Sequence, residues 1–157
     1  MIGDGMGFSH VQLAETYRDQ VLSRRQPLAP SLTIPTFPTT GVARTHSADS
    51  AITDSAAAGT ALATGYKTND GVIARSPDLK MDYDSLTADA KLKGMKTGIL
   101  SSVSLDHATP AVFYAHQNSR KQYYDISMDL AKSDTDFLGG GGLLGDSRRG
   151  KKSLRKD

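Results

Sequence analysis

The 157-residue chain contains no cysteine. That absence removes disulfide scaffolds, thiolate zinc sites and cysteine nucleophiles together. It says nothing of redox compartment, because a chain without thiols persists in either one. Any metal must be held by oxygen and nitrogen. Long apolar runs are lacking too: no window approaches ~18 consecutive apolar residues, which excludes a membrane-spanning helix. Several catalytic signatures are missing, among them G-x-x-x-x-G-K-[ST], H-E-x-x-H, and G-x-S-x-G around Ser55. A P-loop ATPase is therefore a poor fit. The opening Met1 to Gly7 (MIGDGMG) has neither a positive n-region nor an apolar h-region and does not read as a signal peptide.

What is present fits one globular domain or part of one, since ~150 residues is the ordinary domain length. The charge balance of 19 basic to 17 acidic residues hides an asymmetry. Ser147 to Asp157 (SRRGKKSLRKD) holds six of the basic residues and one of the acidic ones, so everything before it carries a formal −3. The basic character belongs to those last residues, and the rest shows no field that would attract nucleic acid. The run itself reads as a solvated surface loop.

An Asp among glycines after Met1-Ile2 reads as the end of a buried strand entering a tight turn, with the strand itself missing. Ser9 to Gln12 has capping-box spacing, and Val11, Ala14, Tyr17 and Val21 recur at helical intervals up to a stop near Pro27. Pro27 to Pro38 reads as a loop, and Thr40 to Thr45 as a short β-branched strand. Asp54 to Thr64 (DSAAAGTALAT) predicts a helix capped by Asp and Ser and closed by Gly65.

Beyond it, Val72 to Arg75 is a candidate strand and Ser76 to Tyr83 a loop. Ser85 to Lys93 predicts a helix stopped by Gly94, and Thr97 to Val103 a strand. A turn through Asp106 and His107 leads to a helix with Pro110 at its first position, running to His116. Tyr123 to Lys132 predicts another helix, and Asp136 to Gly142 a strand entering a glycine loop. Helices and strands alternate without repeats, which predicts an α/β layered fold with a largely parallel sheet and sites at the carboxyl ends of its strands.

Each candidate functional residue has an ordinary reading beside a chemical one. Asp4 in a glycine turn is more often a turn former than a ligand. Asp54-Ser55 is in isolation a helix cap. Yet Ala56, Ala57, Ala58 and Gly59 leave the Ser55 hydroxyl unobstructed at a helix start, where backbone N–H groups and the helix dipole favour an anion. A serine there can receive a phosphoryl group if a base or a metal activates it, and with no hydrolase signature a metal is the better candidate. Arg120 is either a solvated arginine or a planar fork for two phosphate oxygens. Thr109, before Pro110, is an N-cap unless a neighbouring carboxylate recruits it to a hard cation such as Mg²⁺. His107 is a ligand or a hydrogen-bonded structural residue. His10, His46 and His116 have no close His or Glu partner and remain unassigned.

Five stretches together resemble the alkaline phosphatase family: Met1 to Gly7 (MIGDGMG), Thr53 to Gly65 (TDSAAAGTALATG), Asp106 to Pro110 (DHATP), Ala115 to Tyr123 (AHQNSRKQY) and Phe137 to Gly142 (FLGGGG). They follow the family's order and spacing across nearly the whole chain. The resemblance implies a three-layer α/β sandwich around a largely parallel sheet, and a metal-dependent phosphomonoester hydrolase acting through a phosphoserine intermediate. By it Asp4 would bridge the second zinc and the magnesium, and Ser55 would be the nucleophile and a zinc ligand during turnover. Asp54 would orient Arg120, which clamps the phosphate. Thr109 would bind Mg²⁺, and His107 would stand beside that ion where members carry Asp or His.

It further implies small phosphate monoesters as substrates, zinc and magnesium as cofactors, export of the parent protein, and a homodimeric parent. Members carry the remaining ligands in a C-terminal half with no counterpart here. The chain is accordingly expected to be the N-terminal portion of a single catalytic domain, without its first strand, and inactive alone. The alternatives are a phosphodiesterase of the same superfamily, or a non-catalytic phosphate- or metal-binding truncated product. The lack of Cys excludes a sulfatase with a Cys-derived formylglycine.

Overall fold

Alanine, glycine and other small residues dominate the middle of the chain, and they decide how closely its helices approach one another. The computed structural model describes residues 1–22 and 32–145. It divides into two compact units, Met1–Ala43 and Arg44–Asp157. The basic run at 147–157 and the expected helix stop near Pro27 lie outside the described residues.

In the first unit, helix α1 spans Phe8–Tyr17 and continues as a π-helical turn over Arg18–Leu22. It does not start from the Ser9–Gln12 box. The cap is Gly7, whose N–H donates to His10 Nδ1 at 3.1 Å, so an imidazole does the work that a Gln side chain was expected to do. No residue of α1 is buried. Within the expected loop, Ile34–Thr36 forms a single 3-10 turn. Thr40 to Thr45 is not a strand. β-branched residues favour extended backbone but form a strand only against a partner.

The second unit is built on α2, Ser55–Thr64. Asp54 caps it by accepting the Ala57 N–H at 2.9 Å, and Gly65 ends it at φ 79°, a left-handed conformation glycine adopts without strain. Helix α3 follows at Leu86–Leu92, capped by Ser85 and stopped at Gly94. Strand β1 is Gly98–Leu100, and β2 is Phe137–Gly139, paired in parallel with Gly98 opposite Phe137. The connection between them carries α4, Ala108–Ala111, and α5, Tyr123–Lys132, as a parallel pair requires. Past the strands the two segments stay side by side: Ser101 N–H donates to Gly139 O, Gly141 N–H to Val103 O, and Leu105 N–H to Gly142 O, each at 2.9 Å.

Two expectations change here. Val72 to Arg75 is not a strand. Ile73 forms an isolated antiparallel bridge with Gln117, and Arg75 forms one with Asp82. Helix α4 begins at Ala108 under the N-cap His107, so Pro110 takes its third position, and the helix closes at Ala111 instead of His116. Proline is tolerated there because the first four N–H groups of a helix have no intrahelical acceptor.

The core joins Ala56, Ala63, Ile73, Ala74, Ala108, Ala111, Val112, Ala115 and Ile126. Helices α2 and α4 pack closely: a Cβ added at Gly59 would lie 3.2 Å from Val112 Cγ2, tighter than ordinary contact. Glycine lowers helix propensity by about 1 kcal/mol, and here it admits the neighbouring helix.

Candidate functional site

Arg120 is brought to the head of α2 by a short ladder. Ile73 and Gln117 exchange backbone hydrogen bonds at 2.9 and 3.1 Å, and Arg120 N–H donates to Gly71 O at 2.7 Å. Arg75 Nη1 donates to Asn118 Oδ1 at 2.5 Å. Segment 71–75 is tied to α2 in turn, because the Ala74 N–H donates to the buried Thr60 Oγ1 at 3.0 Å. Residues 117–120 thus lie one segment away from the helix.

The result is a charged corner. Arg120 Nη1 donates to Asp54 Oδ2 at 2.9 Å across a separation of 66 residues. Both side chains are about three-quarters buried, at 24% and 22% exposure. Burial pushes the Asp54 carboxyl up, but the Ala57 N–H, the Arg120 guanidinium and the Gly71 N–H together hold it below the usual carboxylate value of 3.8. Asp54 is therefore an anion whenever the protein is folded near neutral pH. Arg120 Nη2 stands 3.5 Å from His107 Nε2, at the outer limit of a hydrogen bond. His107 Nδ1 is buried without a hydrogen-bond partner among the described residues.

Of the residues singled out in the sequence, Asp54, Arg120 and His107 form one hydrogen-bonded set. Ser55 follows Asp54 as the first residue of α2, and Thr109 is the second residue of α4. Both are half-buried. Asp4 lies in the first unit, exposed in the turn ahead of α1. Sequence reasoning passed over Gly71, whose carbonyl and N–H hold Arg120 and Asp54, and over Asp106, which has no exposed surface. The only sequence signal for Gly71 was its place after Asn69-Asp70, a turn pattern.

The second unit offers hydroxyl oxygens from Ser55 and Thr109 and the imidazole of His107. Hydroxyl oxygens suit a hard cation such as Mg²⁺, whereas His107 Nε2 accepts from Arg120, which leaves Nδ1 of the neutral ring as a proton donor without a partner among the described residues. Zinc takes three or four N/O/S ligands. Among the described residues no group of three or more His, Asp or Glu stands close enough to hold an ion. The hydroxyls have the chemistry a magnesium ion takes, and the described residues do not complete a zinc site.

Comparison with known proteins shows the family of the chain. The family model described as "Alkaline phosphatase" matches residues 1–137. Alkaline phosphatase 4 of Bacillus subtilis is 41% identical over 150 residues, which cover 90% of this chain and 32% of that protein. The crystal structure of the cold-active alkaline phosphatase from a psychrophilic Shewanella superposes with a TM-score of 0.80 at 36% identity, over 95% of this chain and 37% of that one. A variant of TAB5 alkaline phosphatase, described with Mg bound in its M3 site, gives 0.79 at 32% identity over 98% and 41% of the two chains. The chain spans about a third of the length of the Bacillus subtilis relative.

Proposed function

Because this chain belongs to the alkaline phosphatase family and shares its α/β fold, we propose that it carries the phosphate-gripping part of a phosphomonoester hydrolase, with Ser55 taking up the phosphoryl group. The observation that carries the reading is the Asp54–Arg120 pair at 2.9 Å beside the first residue of α2. Arg120 has five N–H donors in a planar fork. With Asp54 engaging one of them, the guanidinium is aimed and keeps donors for two phosphate oxygens. The N–H groups and dipole at the head of α2 favour the same anion.

The corner also explains why more cations are required. Asp54 neutralises Arg120, so a dianionic phosphoryl group arriving there finds little net positive charge. Zinc and magnesium would supply that charge and lower the pKa of the attacking oxygen. Within the second unit we propose Ser55, His107 and Thr109 as the residues that would face such ions, and by the family relationship alone Asp4 as a further ligand. The reaction proposed is in-line displacement at a monoester by Ser55 Oγ, with the alcohol leaving, and then hydrolysis of the phosphoserine. We propose a preference for monoesters over diesters, since a dianionic phosphoryl group gains more from added cations than a monoanionic one. The family relationship supports small phosphate monoesters as substrates and export of the parent protein, and we propose a homodimeric parent.

We infer further that these residues do not turn over alone, in keeping with the incomplete metal set among the described residues. The test is a hybrid in which this chain replaces the matched segment of the Bacillus subtilis relative. With zinc and magnesium the hybrid is expected to hydrolyse an aryl phosphate monoester in preference to the diester of the same alcohol, and Ser55→Ala to abolish that activity. Retained turnover in Ser55→Ala, or diester preference, overturns the reading. Vigorous turnover by the 157 residues alone overturns the inference that the site is incomplete.

A further inference from the structure

Asp106 reads in the sequence as a turn residue, yet its side chain has no exposed surface. A carboxylate withdrawn from water is costly unless its oxygens are well bonded. Oδ2 accepts three hydrogen bonds: from Ser127 Oγ at 3.1 Å, from Leu144 N–H at 2.8 Å and from Gly145 N–H at 2.7 Å. Its oxygens take no bond from a Lys, Arg or His among the described residues, and Oδ1 is buried without a hydrogen-bond partner. The three donors come from the middle of α5 and from the loop after β2. Glycine at 145 is what lets that loop arrive, because a Cβ there would lie 2.2 Å from the Tyr123 carbonyl carbon. Asp106 therefore joins three separate pieces of chain at one oxygen.

The next residue is His107. Its backbone is fixed on both sides, with its N–H donating to Ser104 O at 3.1 Å and its carbonyl accepting the Ala111 N–H at 3.0 Å. Among the described residues its ring hydrogen-bonds with Arg120 through Nε2, and Nδ1 has no hydrogen-bond partner. The place of the ring is thus inherited from the backbone, and the backbone at that point is held by Asp106.

We propose that Asp106 is a positioning residue of the site: by pinning the start of α4 to α5 and to the loop after β2, it sets the reach of His107 to Arg120 and so the aim of the guanidinium. The proposal rests on the reading of Arg120 as the phosphate clamp. A merely structural Asp106 would lower stability and leave the His107–Arg120 contact intact in the folded population.

Two readouts on the full chain separate these. The first is nuclear magnetic resonance of the His107 ring and Arg120 guanidinium. Asp106→Ala is expected to lose the cross-relaxation between them, Asp106→Asn, which keeps an acceptor oxygen, to retain it, and Ser127→Ala to shift the His107 ring nitrogens in the direction of Asp106→Ala by less. Thr97→Val, which removes another buried hydroxyl away from α4, is expected to move neither. If Asp106→Ala does not fold, Ser127→Ala against Thr97→Val decides alone, and equal spectra in those two overturn the proposal. The second readout is affinity for inorganic phosphate with Mg²⁺. Asp106→Ala is expected to weaken it about 10-fold, the scale of lost supporting hydrogen bonds around a site. Unchanged affinity in Asp106→Ala, with Arg120→Ala binding poorly, overturns the inference and spares the functional reading. Unchanged affinity in Arg120→Ala overturns the functional reading, and the resonance data still judge Asp106.

Discussion

Two aspartates of the second unit make similar bonds to different ends. Asp54 takes an N–H at the head of α2 and one guanidinium nitrogen. Asp136, at the entry to β2, takes the Thr97 N–H and the ammonium groups of Lys91 and Lys96, all at 2.9 Å. Both carboxyls are held below the usual value, Asp136 further than Asp54, chiefly by the Lys96 ammonium and the Thr97 N–H. A shifted carboxylate with cation partners is thus no mark of a site by itself. What separates the two corners is the cation. Lysine ammonium groups are point charges with mobile stems, and Lys96 remains 86% exposed. Arg120 is a planar fork, largely buried, with an imidazole on one side and a helix-start hydroxyl next along the chain from its partner.

The largest effect that would sharpen this contrast is on ligand binding. Arg120→Ala is expected to weaken inorganic phosphate binding about 100-fold, the equivalent of losing a pair of charge-assisted hydrogen bonds. Lys91→Ala should leave it unchanged, and titration calorimetry of both variants checks the pair. Equal losses would erase the distinction between the corners.

Next in size is packing. Gly59→Leu drives a side chain into Val112, where a Cβ alone already comes within 3.2 Å. It is expected to destabilise by about 2 kcal/mol, the ordinary cost of overpacking, read as a lowered denaturant midpoint. No residue at the Asp136 corner is expected to show such a dependence on side-chain volume.

The acid limb gives a third comparison. Both carboxyls are lowered in the folded state, so each contributes stability that is complete above the unfolded value of 3.8 and is lost as pH falls through the folded value. Asp136→Asn and Asp54→Asn are each expected to lower stability near neutral pH and to flatten its decline below 3.8, as followed by denaturant unfolding at stepped pH. The loss for Asp136→Asn should extend to lower pH. The smallest expected effect is that of Lys96→Ala, a denaturant midpoint barely moved, because an exposed ion pair is screened by water and salt.

Much of the local structure was legible in the residues. Asp54 and Gly65 mark both ends of α2 because a side-chain cap and a left-handed glycine act within one turn of the helix they bound. Tyr123–Lys132 emerged at its expected limits, and α3 within one residue of its own. The failures share a cause. Thr40 to Thr45 and Val72 to Arg75 have strand composition, but pairing needs a neighbour that composition does not name. The cap of α1 turned on which residue opened the helix, Gly7 with His10 or Ser9 with Gln12. Neither Asp106 nor Gly71 was legible as a support. The partners of Asp106 lie 21 to 39 residues away, and those of Gly71 are the cap residue ahead of α2 and Arg120.

By itself the order of residues determined where α2 begins and ends, which hydroxyl opens it, and that any metal must be held without sulfur, since these depend on side-chain chemistry within a turn or on mere presence. Tertiary structure alone decided that Arg120 meets Asp54, that His107 meets Arg120, and that a buried Asp106 carries the start of α4. Those contacts depend on small residues letting α2 and α4 approach and on a ladder through Ile73, and the energy of such packing belongs to pairs of segments and to neither one alone.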